Sequence, residues 1–411
     1  MNIPHRSLPA RPNRRQFLHQ AGIAAAASLA LPRLSAQQKA TLPFENGTRD
    51  LVTYPGKRAL IRHTARPPQL ETPFSVFNEG VLTPNDAFFV RYHLADIPLR
   101  VDPASFRLTV KGAVNTPLNL SLAQLKALGD PVEYVAVNQC SGNSRGFFNP
   151  RIAGGQLGHG AMGNARWTGV PLKRILEKAG LAASAKQVVF DGLDRAVVAA
   201  TPDFVKALDV DHTLDGEVML AYAMNGEDLP MLNGYPLRLV VPGYYGTYWV
   251  KHVHEITVAD SIFNGFWMAP AYRLPDTPNQ SITPGETPKK TVPITRFTIR
   301  SFITSVGDGA RLPASRATVV RGIAFDSGHG ITEVQFSSDG GRTWRGTELG
   351  RDHGRYSFRE WTVAFTPGRA GRYELMARAF NRNGETQPLE PLWNPAGYRR
   401  NVVEKVTVNA A

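Results

Sequence analysis

Val132-Glu133-Tyr134-Val135-Ala136-Val137-Asn138-Gln139-Cys140-Ser141-Gly142-Asn143-Ser144-Arg145 passes from a β-rich run into a turn-forming set, and a cysteine stands where the two meet. Valines and a tyrosine favour a strand, and Ser-Gly-Asn ends it. A side chain at such a junction is presented outward from a rigid element. Cys140 is also the only cysteine in 411 residues, so it has no partner for an internal disulfide. Four roles stay open: a buried small residue, an intermolecular link, a nucleophile or a metal ligand. A thiolate suits a soft or mixed-ligand metal, whereas a free cysteine is more often buried and inert. No histidine stands in an obvious base position nearby.

Upstream, Asn13-Arg14-Arg15-Gln16-Phe17-Leu18-His19 is a twin-arginine pattern followed by an Ala-rich apolar stretch from Ala21 to Leu31. Leu34-Ser35-Ala36 supplies small residues for cleavage, so residues 1–36 read as a twin-arginine signal peptide. The apolar run is about half of the roughly 20 residues that a spanning helix needs. The expectation is a soluble mature protein in the periplasm. Twin-arginine export carries folded proteins and is commonly used when a cofactor is inserted first. The formal charge is +13, of which the signal carries five, leaving about +8 on the mature chain. That balance suits an anionic small substrate or an acidic protein partner. No Lys/Arg run argues for nucleic acid.

Residues 37 to about 70 are polar and Pro-rich and read as an extended arm. Strand-like runs follow at 88–92, 132–137, 187–190 and 237–241. Helical patterns begin at Ser121, at Val170 (stopped by Gly180) and at Pro202. Strands and helices do not alternate steadily, so the expected class is α+β and not a doubly wound sheet. There is no Gly-x-Gly-x-x-Gly after a strand and no P-loop. A Pro/Thr-rich stretch at about 274–295 marks a linker. Beyond it, short strands at 317–325, 331–337, 358–364 and 373–379 predict an immunoglobulin-like β-sandwich. The expected domains are 37–285, with the arm at its start, and 286–411.

Phe89-Val90-Arg91-Tyr92-His93, Cys140-Ser141-Gly142-Asn143-Ser144-Arg145 and Asn164-Ala165-Arg166-Trp167-Thr168-Gly169-Val170-Pro171-Leu172 together resemble the molybdenum-cofactor domain of the sulfite oxidase family. Leu220 to Gly226 and Gly234 to Gly243 continue the match in order. Asp339-Gly340-Gly341-Arg342-Thr343-Trp344 and Leu392-Trp393-Asn394-Pro395-Ala396-Gly397-Tyr398 resemble that family's second, dimerisation-type domain. The resemblance covers nearly all of the mature chain and is nearest to periplasmic bacterial sulfite dehydrogenases.

The resemblance implies a molybdenum–molybdopterin cofactor with Cys140 as the protein's metal ligand. It implies oxidation of sulfite to sulfate, with Arg91, Arg145 and Tyr272 at the substrate. It places Phe89, Val90, Arg91, Tyr92, His93, Asp194 and Asn233 against the pterin, and Arg238, Trp249, Val250 and Lys251 at its phosphate end. Asn233 stands where animal enzymes have a histidine, and its amide still offers hydrogen bonds. Two departures affect the anion pocket. Ala396 replaces an arginine of the vertebrate members, and Leu157 replaces a tryptophan. No haem or flavin motif occurs, so a separate c-type cytochrome is the expected electron acceptor, and the second domain has two uses open to it, pairing two copies as a homodimer or docking that cytochrome. The alternative is a periplasmic molybdopterin reductase of methionine sulfoxide or another S- or N-oxide, though such proteins generally lack the second domain. A binding or adhesion protein built on the immunoglobulin-like domain is the non-enzyme alternative.

Overall fold

The computed structural model describes residues 38–41 and 48–411, so the expected signal at 1–36 lies outside the described residues. The fold is mostly sheet with few helices. Lys39–Thr41, Thr48–Val52, Leu60–Thr64, Gln69–Glu71 and Val90–Arg91 form one antiparallel sheet in chain order. The extended arm expected to about residue 70 is therefore, from Thr48 on, a paired meander. Its buried Leu60 and Leu70 pack with Val90 and Tyr92, which polar composition alone conceals.

A second sheet runs Lys206–Asp209, Gln187–Asp191, Glu255–Ala259, Leu108–Gly112 and Leu118–Leu120. Here a helix was expected over 202–208. Instead Leu208 pairs with Val188 and Ala207 with Val189, and the short helix comes later, at Val210–Thr213. Burial of Ala207 and Leu208 in a strand overrides local helical preference. Ser121 does cap a helix, Leu122–Lys126, through a full capping box with Gln124. The helix Leu172–Ala179 ends at Gly180, as expected, but Val170 and Pro171 finish the preceding strand.

The third sheet carries the cysteine. Val132–Gln139 pairs along its whole length with Met162–Pro171, which pairs in turn with Met219–Met224. Beyond the Pro-rich stretch, which itself contains the paired strands Arg273–Pro275 and Thr291–Pro293, two sheets face each other. One is Arg300–Ile303, Thr318–Phe325, Arg359–Phe365 and Glu348–Leu349; the other is Ala310–Leu312, Lys405–Ala410, Gly371–Asn381, Ile331–Ser337 and Arg345–Gly346. Trp361, Val320, Phe336 and Leu375 fill the space between them, giving the expected sandwich.

The sandwich also reaches back to the cysteine loop. Arg300, 1% exposed, donates to the Ser144 hydroxyl at 3.1 Å and to Glu404 at 3.2 Å. Arg400 also holds Glu404 and donates to the Phe147 carbonyl at 3.1 Å. Ser144 sits in the left-handed region, at φ 68, and its hydroxyl meets His159 Nδ1 at 2.7 Å. Burial pushes His159 down to about 4, so a neutral ring shares this hydrogen bond. Removing one partner of a buried ion pair costs roughly 3–5 kcal/mol. Because Arg400 still pairs Glu404, Arg300→Met is expected to lower stability by less, about 1–3 kcal/mol for the lost donors, read as a shift in the urea midpoint; an unshifted midpoint would refute the clamp.

Candidate active site

Strand alternation builds one wall of a cavity. Phe89, Arg91 and His93 line it, while Val90 and Tyr92 point the other way into the core. The same alternation puts Asn138 and Cys140 on one face at the end of their strand, and both line the cavity with Ser141. Cys140 is partly buried, and its backbone N–H donates to Ala161 O at 2.9 Å. Asn233, Arg238, Trp249 and Lys251 form the opposite end.

The electrostatics are one-sided. Arg91, Arg238 and Lys251 line the cavity, and among the described residues no carboxylate does. Lys251 donates to Arg91 O at 2.7 Å, and Arg238 donates to Asn233 O at 2.8 Å. Burial, with Arg238 beside it, pushes Lys251 down to about 7, and burial lowers Arg238 to about 10. A bound anion would relieve both. Asn233 is itself held by protein: its amide donates to Phe89 O at 3.1 Å and its oxygen accepts from Lys57. One hydrogen and one lone pair of that amide remain for a ligand.

Lys57 is 5% exposed and also donates to Asn85 O at 2.6 Å and Phe88 O at 3.0 Å. Burial pushes it from 10.5 down to about 7. The unfolded chain thus holds this proton more tightly than the fold does. Stability is expected to rise with pH between those two values and to be penalised in full below about 7. Urea midpoints across that window should climb less steeply in Lys57→Met; an identical slope would mean that Lys57 does not titrate there.

At the other end, His93 Nε2 is hydrogen-bonded to the Tyr272 hydroxyl. The imidazole is stacked on Phe204 at 3.7 Å. Burial, then Arg91, Lys251 and Lys206, hold His93 well below its ordinary value, and burial raises the Tyr272 phenol. A neutral imidazole and a protonated phenol therefore share this bond. Tyr272 is held at φ 57, and its ring lies parallel to that of Tyr398.

Arg145 is not on the wall. Its Nε and Nη2 donate to Gly397 O at 3.2 Å and Ala396 O at 3.1 Å. The position that lacks an arginine side chain thus contributes its carbonyl. Asp194 and Val250 are buried off the wall as well, with the Asp194 carboxyl raised to about 6 by burial. Tyr92 acts at one remove: its hydroxyl is 2.6 Å from His252 Nε2, and His252 Nδ1 donates to Tyr235 O at 2.6 Å. Leu157 is packed into the core.

Several wall residues were missed from sequence. Asn138 could have been found, two residues before Cys140 on the same strand face. Ser141, Phe204, Leu232, Gly246 and Thr247 come from loops and short turns without a local signal. Gly246 is required there, since a Cβ would lie 2.4 Å from Asn138 Oδ1.

The wall fits a large polar anion. Both side-chain polar atoms of Asn138, Ser141 Oγ, Thr247 Oγ1 and Arg238 Nε are buried without a protein partner. Each such group costs about 1–3 kcal/mol if nothing meets it. Among the described residues no cluster of three or more His, Cys, Asp or Glu could hold a metal ion. A metal at Cys140 would have to bring further ligands with it. A metal–dithiolene pterin ending in a phosphate meets both conditions.

Comparison with known proteins points the same way. Residues 94–267 match the oxidoreductase molybdopterin binding domain, and residues 291–411 match the Mo-co oxidoreductase dimerisation domain. The chain is 32% identical to mitochondrial sulfite oxidase of Mus musculus over 378 residues, covering 85% of this chain and 66% of that protein. It is 31% identical to sulfite oxidase of Gallus gallus over 366 residues, covering 84% and 76%. Among solved structures, the sulfane dehydrogenase SoxCD from Paracoccus pantotrophus superposes with a TM-score of 0.71 at 23% identity, over 94% of this chain and 98% of that one.

Proposed function

The chain belongs to the sulfite oxidase family, and from that premise we propose that it oxidises sulfite to sulfate at a molybdenum–molybdopterin centre and passes the electrons to a c-type cytochrome. The observation that carries this reading is the single cysteine in a cavity lined by three cations and, among the described residues, no carboxylate. Cys140 would supply the protein's thiolate to the metal. Arg238, Lys251 and Thr247 would hold the phosphate end, and Asn138, Ser141 and Asn233 would hydrogen-bond the pterin. When bound, the cofactor supplies the two-electron change and the oxygen-atom transfer.

The protein's own groups bind the substrate and handle its protons. Arg91 holds the anion, supported by Arg145 from outside the wall. Tyr272 offers a hydroxyl whose orientation His93 sets. The balance takes one water oxygen into sulfate and releases two protons and two electrons. With no haem or flavin motif in its sequence, the chain would hand these on singly to a separate carrier. In this reading residues 1–36 direct export to the periplasm, and the match to a dimerisation domain supports the pairing of two copies. Metal and pterin analysis of native protein, followed by a sulfite:cytochrome c assay, tests the reading. Stoichiometric molybdenum without sulfite-dependent reduction of cytochrome c or ferricyanide would sink the substrate assignment.

A further inference from the structure

We propose that Tyr398, contributed by the sandwich domain, is a positioning residue of the substrate end: its ring holds the Arg145 guanidinium and the Tyr272 phenol in one fixed relation and so sets how tightly a small oxyanion is bound. This rests on the sulfite reading above.

Three observations converge on the ring. The Tyr398 and Tyr272 rings are nearly parallel, with centroids 5.3 Å apart and an interplanar angle of 9°. The Arg145 guanidinium carbon lies 4.8 Å from the Tyr398 ring centroid. Arg145 also donates to the carbonyls of Ala396 and Gly397, the two residues before Tyr398, at 3.1 and 3.2 Å. The ring thus meets the Arg145 cation by charge–quadrupole contact and the Tyr272 ring by stacking.

The loop bearing Tyr398 is built to stay still. Asn394, 4% exposed, donates from its amide to Tyr398 O at 2.9 Å and accepts from Tyr398 N at 3.3 Å. Gly397 turns the chain at φ 64, and a Cβ there would lie 2.8 Å from Arg145 Nε. Gly154 approaches the same guanidinium from another side, where a Cβ would lie 2.7 Å from Nη1. Trp393 donates to Pro150 O at 3.0 Å, tying the loop to the segment after Cys140. Side chains fixed this way act by keeping others in productive geometry. Tyr398 does not itself line the cavity.

The test compares full-length, cofactor-loaded Tyr398→Leu and Tyr398→Phe with the parent. Sulfate binding by calorimetry and sulfite kinetics are both measured. Tyr398→Leu is expected to weaken sulfate binding and raise sulfite KM by about tenfold, with kcat within about threefold, the pattern of lost uniform binding. Tyr398→Phe keeps the ring and should stay within about twofold on every parameter. In an Arg145→Lys background, Tyr398→Leu should add little, because the two act as one unit. Unchanged sulfate affinity and KM in Tyr398→Leu would overturn the proposal, as would a fall in kcat alone. Should Tyr398→Leu fail to fold, Tyr398→Phe still decides: a tenfold loss there would show that the ring is not what matters. A parent protein that binds sulfate but does not oxidise sulfite would instead count against the functional reading.

Discussion

Cys140→Ser is expected to abolish sulfite oxidation, a loss of at least about 10³-fold or roughly 4 kcal/mol of transition-state stabilisation. Serine is nearly isosteric, and the backbone at this position is held by Ala161 O and by the turn to Asn143 N. The fold should therefore survive, with a thermal midpoint within a few degrees of the parent. The hydroxyl does not replace a thiolate as a soft ligand. Molybdenum and pterin content, measured beside turnover, separates loss of the ligand from loss of the fold. A fully active serine variant would overturn the whole assignment.

Arg238→Met should empty the protein of cofactor without weakening the chain. Arg238 is 4% exposed, keeps one partner at Asn233 O, and leaves Nε unmet in the wall. Its guanidinium lies 5.4 Å from the Trp167 ring and 5.8 Å from that of Trp249. Without an anion, such a buried cation is a burden to the fold, as its lowering to about 10 reflects. Methionine removes that burden and packs against the same tryptophans. With an anion bound, losing the charge costs about 2–5 kcal/mol, so cofactor retention should fall roughly 30-fold or more. Molybdenum and pterin per chain after gel filtration, together with the urea midpoint, test both halves. Full retention would remove Arg238 from the phosphate end.

What sequence could reveal here depended on local regularity. The strand leading to Cys140, the capping box at Ser121 and the short strands of the sandwich all follow patterns of a few residues. The Phe89–Arg91–His93 face follows from period two alone. Motif resemblance supplied Cys140, Asn233, Arg238, Trp249, Lys251 and Tyr272, but it missed the loop residues of the wall and could not tell wall from backing. Val90, Tyr92, Asp194 and Val250 stand behind the surface that their neighbours form. The strand at Lys206–Asp209 was misread as helix because its pairing partner lies about twenty residues upstream. Arg300 and Tyr398 had no local signal: their contacts at Ser144 and Tyr272 span more than a hundred residues.

The grip of Arg300, Arg400 and Glu404 on the loop after Cys140 also orders events in time. Synthesis runs from the N-terminus, so the cysteine strand emerges long before residues 396–404. A nascent chain at that stage has Ser144 and Arg145 without the partners that set them. This loop reaches its final shape only when the late segment has been made and has folded back across the molecule. With the cofactor held at Cys140 as proposed, a ribosome-bound fragment lacking the sandwich is expected to be unable to retain it.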